Sequence, residues 1–265
     1  MPDAFTLANA RIAVALNHSL NAHPALFKFV LFLTEQGTHL LMLLTLAALW
    51  FRPESLRQPA SSPKSTPQKG RTFPIDAAQS RLQNRARILT FVFAAMLACI
   101  VARLLAGRFE IERPFATFLP IVGPPGVFNG LPIYGSLPGE YAALLGAIAA
   151  ALFWWSARLG WAWTALALVL ASARVAAGLN YPFDMAAGAL LGVALVSVAL
   201  RRQEQEGTFR NATIKLASGF ESKNTFYQYL FYGLALLLLL DFSMGFRNAI
   251  DTIQLMRGEV SSGRF

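Results

Sequence analysis

A cation and an anion lie ten residues apart in the small, apolar stretch ASARVAAGLNYPFDMAAG, residues 171 to 188. They are Arg174 and Asp184, and the polar residue between them, Asn180, cannot carry a proton. A charge inside a membrane span costs about 2.5–3.5 kcal/mol on insertion scales, so we expect each such charge to have a partner or a functional role. A guanidinium can hold a phosphate through paired hydrogen bonds, and a carboxylate can accept from or orient a neighbouring group.

Further charged residues are expected at the same depth, and they come from separate segments of the chain. They are Arg103, Arg108, Arg113, Glu110, Glu112 and Glu140. Arginines from separate segments repel one another unless an anion or carboxylates offset them. We therefore expect these groups to converge on one face of the molecule, either around a bound anion or as ion pairs and snorkelling side chains at a membrane interface.

The elements that position these residues are predicted to be membrane-spanning helices. Of 265 residues, 55% are hydrophobic and only 14% are charged, whereas soluble domains carry roughly 25% charged residues. The apolar residues gather into six segments near the ~20 residues that cross a hydrocarbon core. These are residues 26–51, 88–105, 141–157, 161–179, 183–200 and 226–245. The sequence therefore predicts an all-α, polytopic membrane protein.

The basic residues predict how the chain is oriented. Eight Lys and Arg residues fall in 52–87 and five in 201–223, and such loops face the cytoplasm. Four spans separate the two loops, so the assignments agree. The 106–140 connection and the 180–183 turn then lie on the outer side of a cell (inner) membrane. The orientation rule and anionic lipid account for much of the net charge of +9, and no motif supports binding to nucleic acid.

The predicted organisation has three parts. Residues 1–24 form an amphipathic helix in the outer interface, residues 25–245 form the transmembrane domain, and residues 246–265 form a tail. Within the domain, residues 52–87 are expected to form a disordered, basic cytoplasmic loop, because a segment rich in Pro, Ser, Gln and charge cannot bury enough apolar surface to order itself. No grouping of His, Cys and acidic residues indicates a metal, and no cofactor is expected.

Three motifs resemble those of the type 2 phosphatidic acid phosphatase superfamily. ERPF supplies Arg113 and Pro114, LPGEYAA stands where the family has FPSGHAA, and ARVAAGLNYPFDMAAG matches SRVxxGxHYPxDxxAG at most of its framing residues. The resemblance covers about residues 25–200, and the third motif is its most specific part. It implies a six-helix transmembrane bundle with a site that opens to the outer leaflet.

The departures from the family fall on its chemistry. Asn180 and Tyr141 stand where the family has the nucleophilic and the acidic histidine. An amide cannot form a phosphoenzyme, and a Tyr with an ordinary pKa near 10 is a poor proton donor at neutral pH. Gly139 and Glu140 replace the phosphate-holding serine and glycine, and Ala106 replaces the first-motif lysine. The resemblance therefore implies that phosphomonoester hydrolysis has been lost.

The retained residues are those that would hold a phosphate. By resemblance, Arg113 and Arg174 form a clamp for a phosphate or lipid phosphate, to which Arg108, Tyr141 and Asn180 can add donors. Either Arg103 or Arg108 could replace the missing lysine. Asp184, without a histidine to orient, is expected to pair with Arg174 or to accept from Asn180.

Three functions remain open from the residues. The first is an inactive relative of these phosphatases that binds polyprenyl phosphate or a phospholipid in envelope lipid or glycan handling. The second is a divergent membrane enzyme, a phosphotransferase, glycosyltransferase or hydrolase, that uses Glu140 or Asp184. The third is a structural subunit of a membrane complex, which would be favoured if Glu140 paired with Arg113 or Arg174 and filled the site. A protein partner or a homo-oligomer is compatible with each of them.

Overall fold

The computed structural model describes residues 4–32, 45, 75–109, 111–117, 119–123, 133–205, 207–219 and 229. These residues contain seven α-helices and one short 3-10 helix, Pro114–Ala116. The α-helices are α1 (Ala4–Asn21), α2 (Pro24–Phe32), α3 (Ile75–Phe109), α4 (Glu140–Trp155), α5 (Ala157–Ala176), α6 (Pro182–Gln205) and α7 (Gly207–Gly219). The described part of the chain contains no β-strand, which agrees with the predicted all-α class.

Three helices are long and apolar enough to cross a membrane. They are Leu82–Phe109 within α3, Ala157–Ala176 and Pro182–Gln205, and α4 is a shorter apolar helix. These four correspond to the second to fifth predicted spans. The predicted first span continues beyond α2 into residues outside the described ranges, and the predicted sixth span lies almost wholly outside them. The protein is therefore a multi-pass helical membrane protein, and the six-helix count stays a prediction.

The prediction of a disordered loop at residues 52–87 is wrong for the last thirteen of them, because α3 begins at Ile75. Its polar residues there find partners on other helices. Arg87 forms an ion pair with Glu204 of α6 at 2.9 Å, and buried Asn84 accepts a hydrogen bond from the indole of Trp155 at 3.0 Å. Arg87 and Asn84 therefore join the first part of α3 to α6 and α4, while residues 52–74 lie outside the described ranges.

Helix α4 is the centre of the bundle and packs against α3, α5 and α6. Its contact with α6 depends on small residues, because a Cβ added at Gly188 or Gly192 would collide with the carbonyl oxygens of Gly139 and Ala143. Gly146 approaches the α6 backbone in the same way. Small residues at such spacing let two membrane helices approach closely and gain van der Waals contact.

The predicted N-terminal helix forms, and it packs directly on the bundle. Ala13 of α1 lies in one apolar cluster with Val175 and Met185. Buried Asn17 donates to the carbonyl oxygens of Val122 and Ala176, each at 2.9 Å, and its own oxygen accepts from the Val122 amide at 2.9 Å. Because these three bonds satisfy backbone groups far away in the chain, α1 holds the 119–123 segment against the end of α5.

Candidate functional site

The polar residues of the third motif are presented by the turn between α5 and α6. Gly178 adopts a left-handed conformation with φ of 75°, which a residue with a side chain rarely adopts. A Cβ at this position would also collide with Ile121. The carbonyl of Gly178 accepts from the Phe115 amide at 3.1 Å, so the turn is joined to the segment that carries Arg113.

Arg113 is placed by a short pairing of two extended segments. The Arg113 amide donates to the carbonyl of Ile133 at 2.8 Å, and the Ser136 amide donates to the carbonyl of Ile111 at 3.2 Å. An isolated antiparallel bridge joins Glu112 and Tyr134 between them. These bonds bring Arg113, which is 5% exposed, and Ser136, which is fully buried, to the same end of the bundle.

Asn180 lies at the centre of the site and bonds on both sides. Its Oδ1 accepts from Nε of Arg174 at 3.1 Å, and its Nδ2 donates to the carbonyl of Ser136 at 3.3 Å. The Arg174 guanidinium also lies over the ring of Tyr141, 4.3 Å from its centroid. Tyr141 and Asn180 therefore both contact the same half-buried arginine.

The sequence led us to expect that Asp184 would pair with Arg174 or accept from Asn180, but in the structure it bonds to other groups. Its Oδ2 accepts from the hydroxyl of Ser136 and from the Tyr181 amide at 3.0 Å. Asp184 lies in the first turn of α6, which begins at Pro182, and from there it reaches back to the amide that precedes the helix, as in half of a capping box. Arg113 adds electrostatic attraction to this carboxylate.

Ser136 was missed by sequence reasoning. The resemblance places a phosphate-holding serine at the position of Gly139, so it predicts no role for Ser136, which directly precedes the motif that begins at Leu137. Ser136 follows Gly135, whose φ of 87° marks a sharp turn. A hydroxyl directly after a glycine was the available signal, but the local sequence could not show the partner, because Ser136 and Asp184 are 48 positions apart.

Glu140 stands in the first turn of α4 and faces Arg103 of α3. Their Oε2 and Nε atoms are 4.0 Å apart, and the Glu140 side chain is 34% exposed. Glu140 therefore does not pair with Arg113 or Arg174, which was the arrangement that would have favoured a purely structural subunit. Arg108 lies exposed in the last turn of α3, and within the described ranges it makes none of the site's polar contacts.

The phenol of Tyr181 borders the site from the turn before α6. Burial raises the pKa of Tyr181 above its ordinary value, a hydrogen bond with Thr117 partly offsets this, and the charges of Asp184 and Glu112 reinforce it. Because the raised pKa disfavours the phenolate, Tyr181 is a neutral hydrogen-bonding group at physiological pH. Its contribution to stability would be lost only as the pH rises through this pKa.

The described residues of the site include groups that can bind an anion. They comprise Arg113, Arg174 and the amide of Asn180, and the two histidines that the structure describes, His18 and His23, lie exposed outside the site. Among the described residues, no three His, Cys, Asp or Glu side chains are grouped as metal ligands. The site therefore offers cations and hydrogen-bond donors, and its one hydroxyl–carboxylate pair is Ser136 with Asp184.

Comparison with known proteins adds one relative. The chain is 34% identical over 111 residues to the bacitracin transport permease protein BcrC of Bacillus licheniformis, which covers 42% of this chain and 53% of the relative. The chain thus spans about half the length of this curated relative. No family model matches the chain, and no solved structure matches it. The chain is a helical membrane protein related to a bacitracin transport permease.

Proposed function

We propose that this protein binds a lipid phosphate, polyprenyl phosphate or a phospholipid headgroup, as an inactive relative of the type 2 phosphatidic acid phosphatases. Its role would then lie in cell-envelope lipid or glycan handling. The observation that carries the proposal is the bond from Arg174 to Asn180. A phosphate-clamping guanidinium here contacts an amide where the family has its nucleophile, so the position retains binding and loses hydrolysis.

The arrangement of the two arginines supports phosphate binding. Arg113 is buried beside Asp184, and Arg174 is half-buried with one face against Tyr141. A guanidinium has five N–H donors in a planar fork that suits a phosphate, and the Nε donor of Arg174 bonds to Asn180. Charge-assisted bonds of this kind are roughly twice as strong as neutral ones. A phosphate between the two arginines would offset their mutual repulsion.

The similarity to BcrC is compatible with this proposal, because a bacitracin transport permease fits a role in the cell envelope. We propose that the site faces the outer leaflet of the inner membrane, with the basic segments on the cytoplasmic side. A protein partner or a second copy of this chain stays a prediction.

The first prediction concerns binding and turnover in purified protein. We expect phosphatidic acid and polyprenyl phosphate to bind, and Arg174→Ala to weaken both about tenfold or more, because a hydrogen bond to a charged group is worth about 1.5–3 kcal/mol. Arg210→Ala, which changes an exposed arginine of α7, should leave binding unchanged. Binding is measured by the change in tryptophan fluorescence or by native mass spectrometry.

The same preparations test whether chemistry has been lost. We expect no phosphate release from polyprenyl diphosphate or phosphatidic acid above the level of Arg174→Ala. Turnover that disappears in this variant would overturn the inactive assignment. Equal binding by the wild type and Arg174→Ala would overturn the phosphate site itself.

One observation favours a second candidate, a divergent membrane enzyme. The Ser136 hydroxyl donates to Asp184, and a hydroxyl beside a carboxylate is the pairing of a nucleophile with a base. In this alternative, Ser136 would attack an ester carbonyl or a phosphoryl group while Asp184 accepts its proton. The bond to the alcohol would break, the departing alcohol would take that proton from Asp184, and water would then hydrolyse the acyl- or phosphoryl-serine. Turnover of a phospholipid ester that is lost in both Ser136→Ala and Asp184→Asn would favour it over simple binding.

A further inference from the structure

Glu140 places a carboxylate next to the residues assigned to phosphate binding. It is the first residue of α4 and directly precedes Tyr141, whose ring lies against the Arg174 guanidinium. The residue before it, Gly139, donates its amide to the backbone carbonyl of Asp184 at 2.9 Å. The start of α4 is thus joined to both sides of the site, and Glu140 is one residue away from each of these contacts.

A carboxylate at this place opposes a purely anionic ligand. Two like charges repel in any medium, and they repel more strongly in the low dielectric of a partly buried site. Arg103 offsets part of the Glu140 charge, yet the 4.0 Å between Nε and Oε2 is long for a charge-assisted hydrogen bond. An ionised carboxylate can accept about four hydrogen bonds, and with 34% of its side chain exposed, Glu140 keeps acceptor capacity for a cation.

We propose that the ligand of this site is a phosphate ester that carries a primary ammonium group. Its phosphate binds Arg113 and Arg174, and its ammonium donates to Glu140. This inference rests on the proposed lipid-phosphate site and names the class of ligand within it. An ammonium a few bonds away from the phosphate turns Glu140 from a repulsive neighbour into a partner, and it makes the pattern of charges in the site complementary to a zwitterion.

The number of N–H donors distinguishes a primary ammonium from other headgroups. A primary ammonium has three N–H donors for the Glu140 carboxylate, whereas a trimethylammonium has none and would leave the carboxylate's bonds to water. N-acetylation removes both the charge and two of the donors at nearly the same headgroup position. Phosphatidylethanolamine, its N-acetyl derivative and phosphatidylcholine therefore form a graded series of probes.

The experiment measures the affinity of these three lipids, with matched acyl chains, for the full chain in detergent. We expect phosphatidylethanolamine to bind about tenfold tighter than its N-acetyl derivative, because a charge-assisted bond in a partly exposed site contributes about this factor. Glu140→Gln should remove the preference. Glu204→Gln should keep it, and it is a matched control because Glu204 also pairs with an arginine of α3, at the opposite end of the bundle.

The outcomes separate this inference from the proposed function. If the wild type binds all three lipids equally and Arg174→Ala weakens all of them, phosphate binding stands and the ammonium proposal is overturned. The wild-type comparison decides this even if Glu140→Gln fails to fold. If Arg174→Ala weakens none of them, the phosphate site itself is absent. Free O-phosphoethanolamine as competitor tests whether the headgroup alone suffices, and competition within about tenfold of the lipid would assign the site to a soluble phosphate ester.

Discussion

At the scale of single residues, the buried polar groups of the site bond to the partners that the neighbouring turns place within hydrogen-bond distance. Asp184 is 3% exposed and Ser136 is fully buried, so neither can depend on bulk water. The Ser136 hydroxyl and the Tyr181 amide both donate to Asp184. Asn180 links this pair to Arg174, since its Nδ2 donates to the Ser136 carbonyl and its Oδ1 accepts from Arg174. Among the described residues, these bonds form a connected polar network that contains no imidazole.

Ser136→Ala tests this network through stability. We expect the variant to lose about 1–3 kcal/mol, because Asp184 stays buried while one of its donors is removed. Thermal unfolding in detergent, followed by circular dichroism, measures the loss. Ser218→Ala is the control, since that exposed hydroxyl of α7 bonds only to the nearby carbonyl of Lys215. Equal melting temperatures for wild type and Ser136→Ala would contradict the network.

At the scale of elements, the pairing of α4 with α6 positions both halves of the site. Gly139 and Glu140 lie at the start of α4, and Asp184 lies at the start of α6, so the distance between the helices sets the width of the site. Gly188 and Gly192 set that distance, because any side chain at these positions meets the α4 backbone. Because this interface has no room for even one more methyl group, α4 and α6 cannot slide past each other by small steps. The residues at the starts of the two helices therefore keep their relative positions.

Gly192→Ala tests this interface. We expect a loss of about 1–3 kcal/mol or more, the usual cost of overpacking, because the added Cβ collides with the Ala143 carbonyl and a backbone cannot rotate away. Gly207→Ala is the matched control, since a Cβ there meets nothing within 4 Å. Melting temperature and lipid binding are measured for both. A stable Gly192→Ala variant that binds normally would show that the helices are not so closely packed.

At the scale of the whole molecule, the polar residues divide between two ends of the bundle. One end holds the arginine-rich site at the ends of α3 and α5 and the starts of α4 and α6. The other holds Asn84, the Arg87–Glu204 pair and two indoles, since Trp154 and Trp155 donate to Glu204 and Asn84. Tryptophans at a polar helix end are typical of a membrane interface. The two ends therefore suit the two surfaces of a bilayer.

The orientation of the bundle is tested by labelling cysteines in a Cys99→Ala background. We expect a membrane-impermeant maleimide to label Glu112→Cys in intact cells, and to label Arg158→Cys only after the membrane is opened. Both positions are exposed, and they lie near opposite ends of the bundle. Basic segments are retained on the cytoplasmic side during insertion, which is the physical reason for the expected result. The reverse pattern would invert the proposed orientation.

Much of the architecture could be predicted from composition and spacing alone. Apolar segments of membrane length predict helices because the backbone must satisfy its own hydrogen bonds in lipid, and α3 to α6 lie where the second to fifth spans were expected. Helix limits were less accurate. The extension of α3 back to Ile75 includes Asn84 and Arg87, which bond to α4 and α6, and no local pattern in the segment indicates that these partners are near.

The sequence by itself determined which chemical groups the site has: the arginines Arg113 and Arg174, the amide of Asn180, the phenol of Tyr141 and the carboxylate of Asp184. Only the tertiary structure decided which of them meet. Asp184 bonds to Ser136 rather than to Arg174, and Glu140 pairs with Arg103 rather than with Arg113 or Arg174. The physical reason is that hydrogen bonds and ion pairs form over a few ångströms, while the residues that form them are 48 positions apart for Ser136 and Asp184 and 105 for Asn17 and Val122.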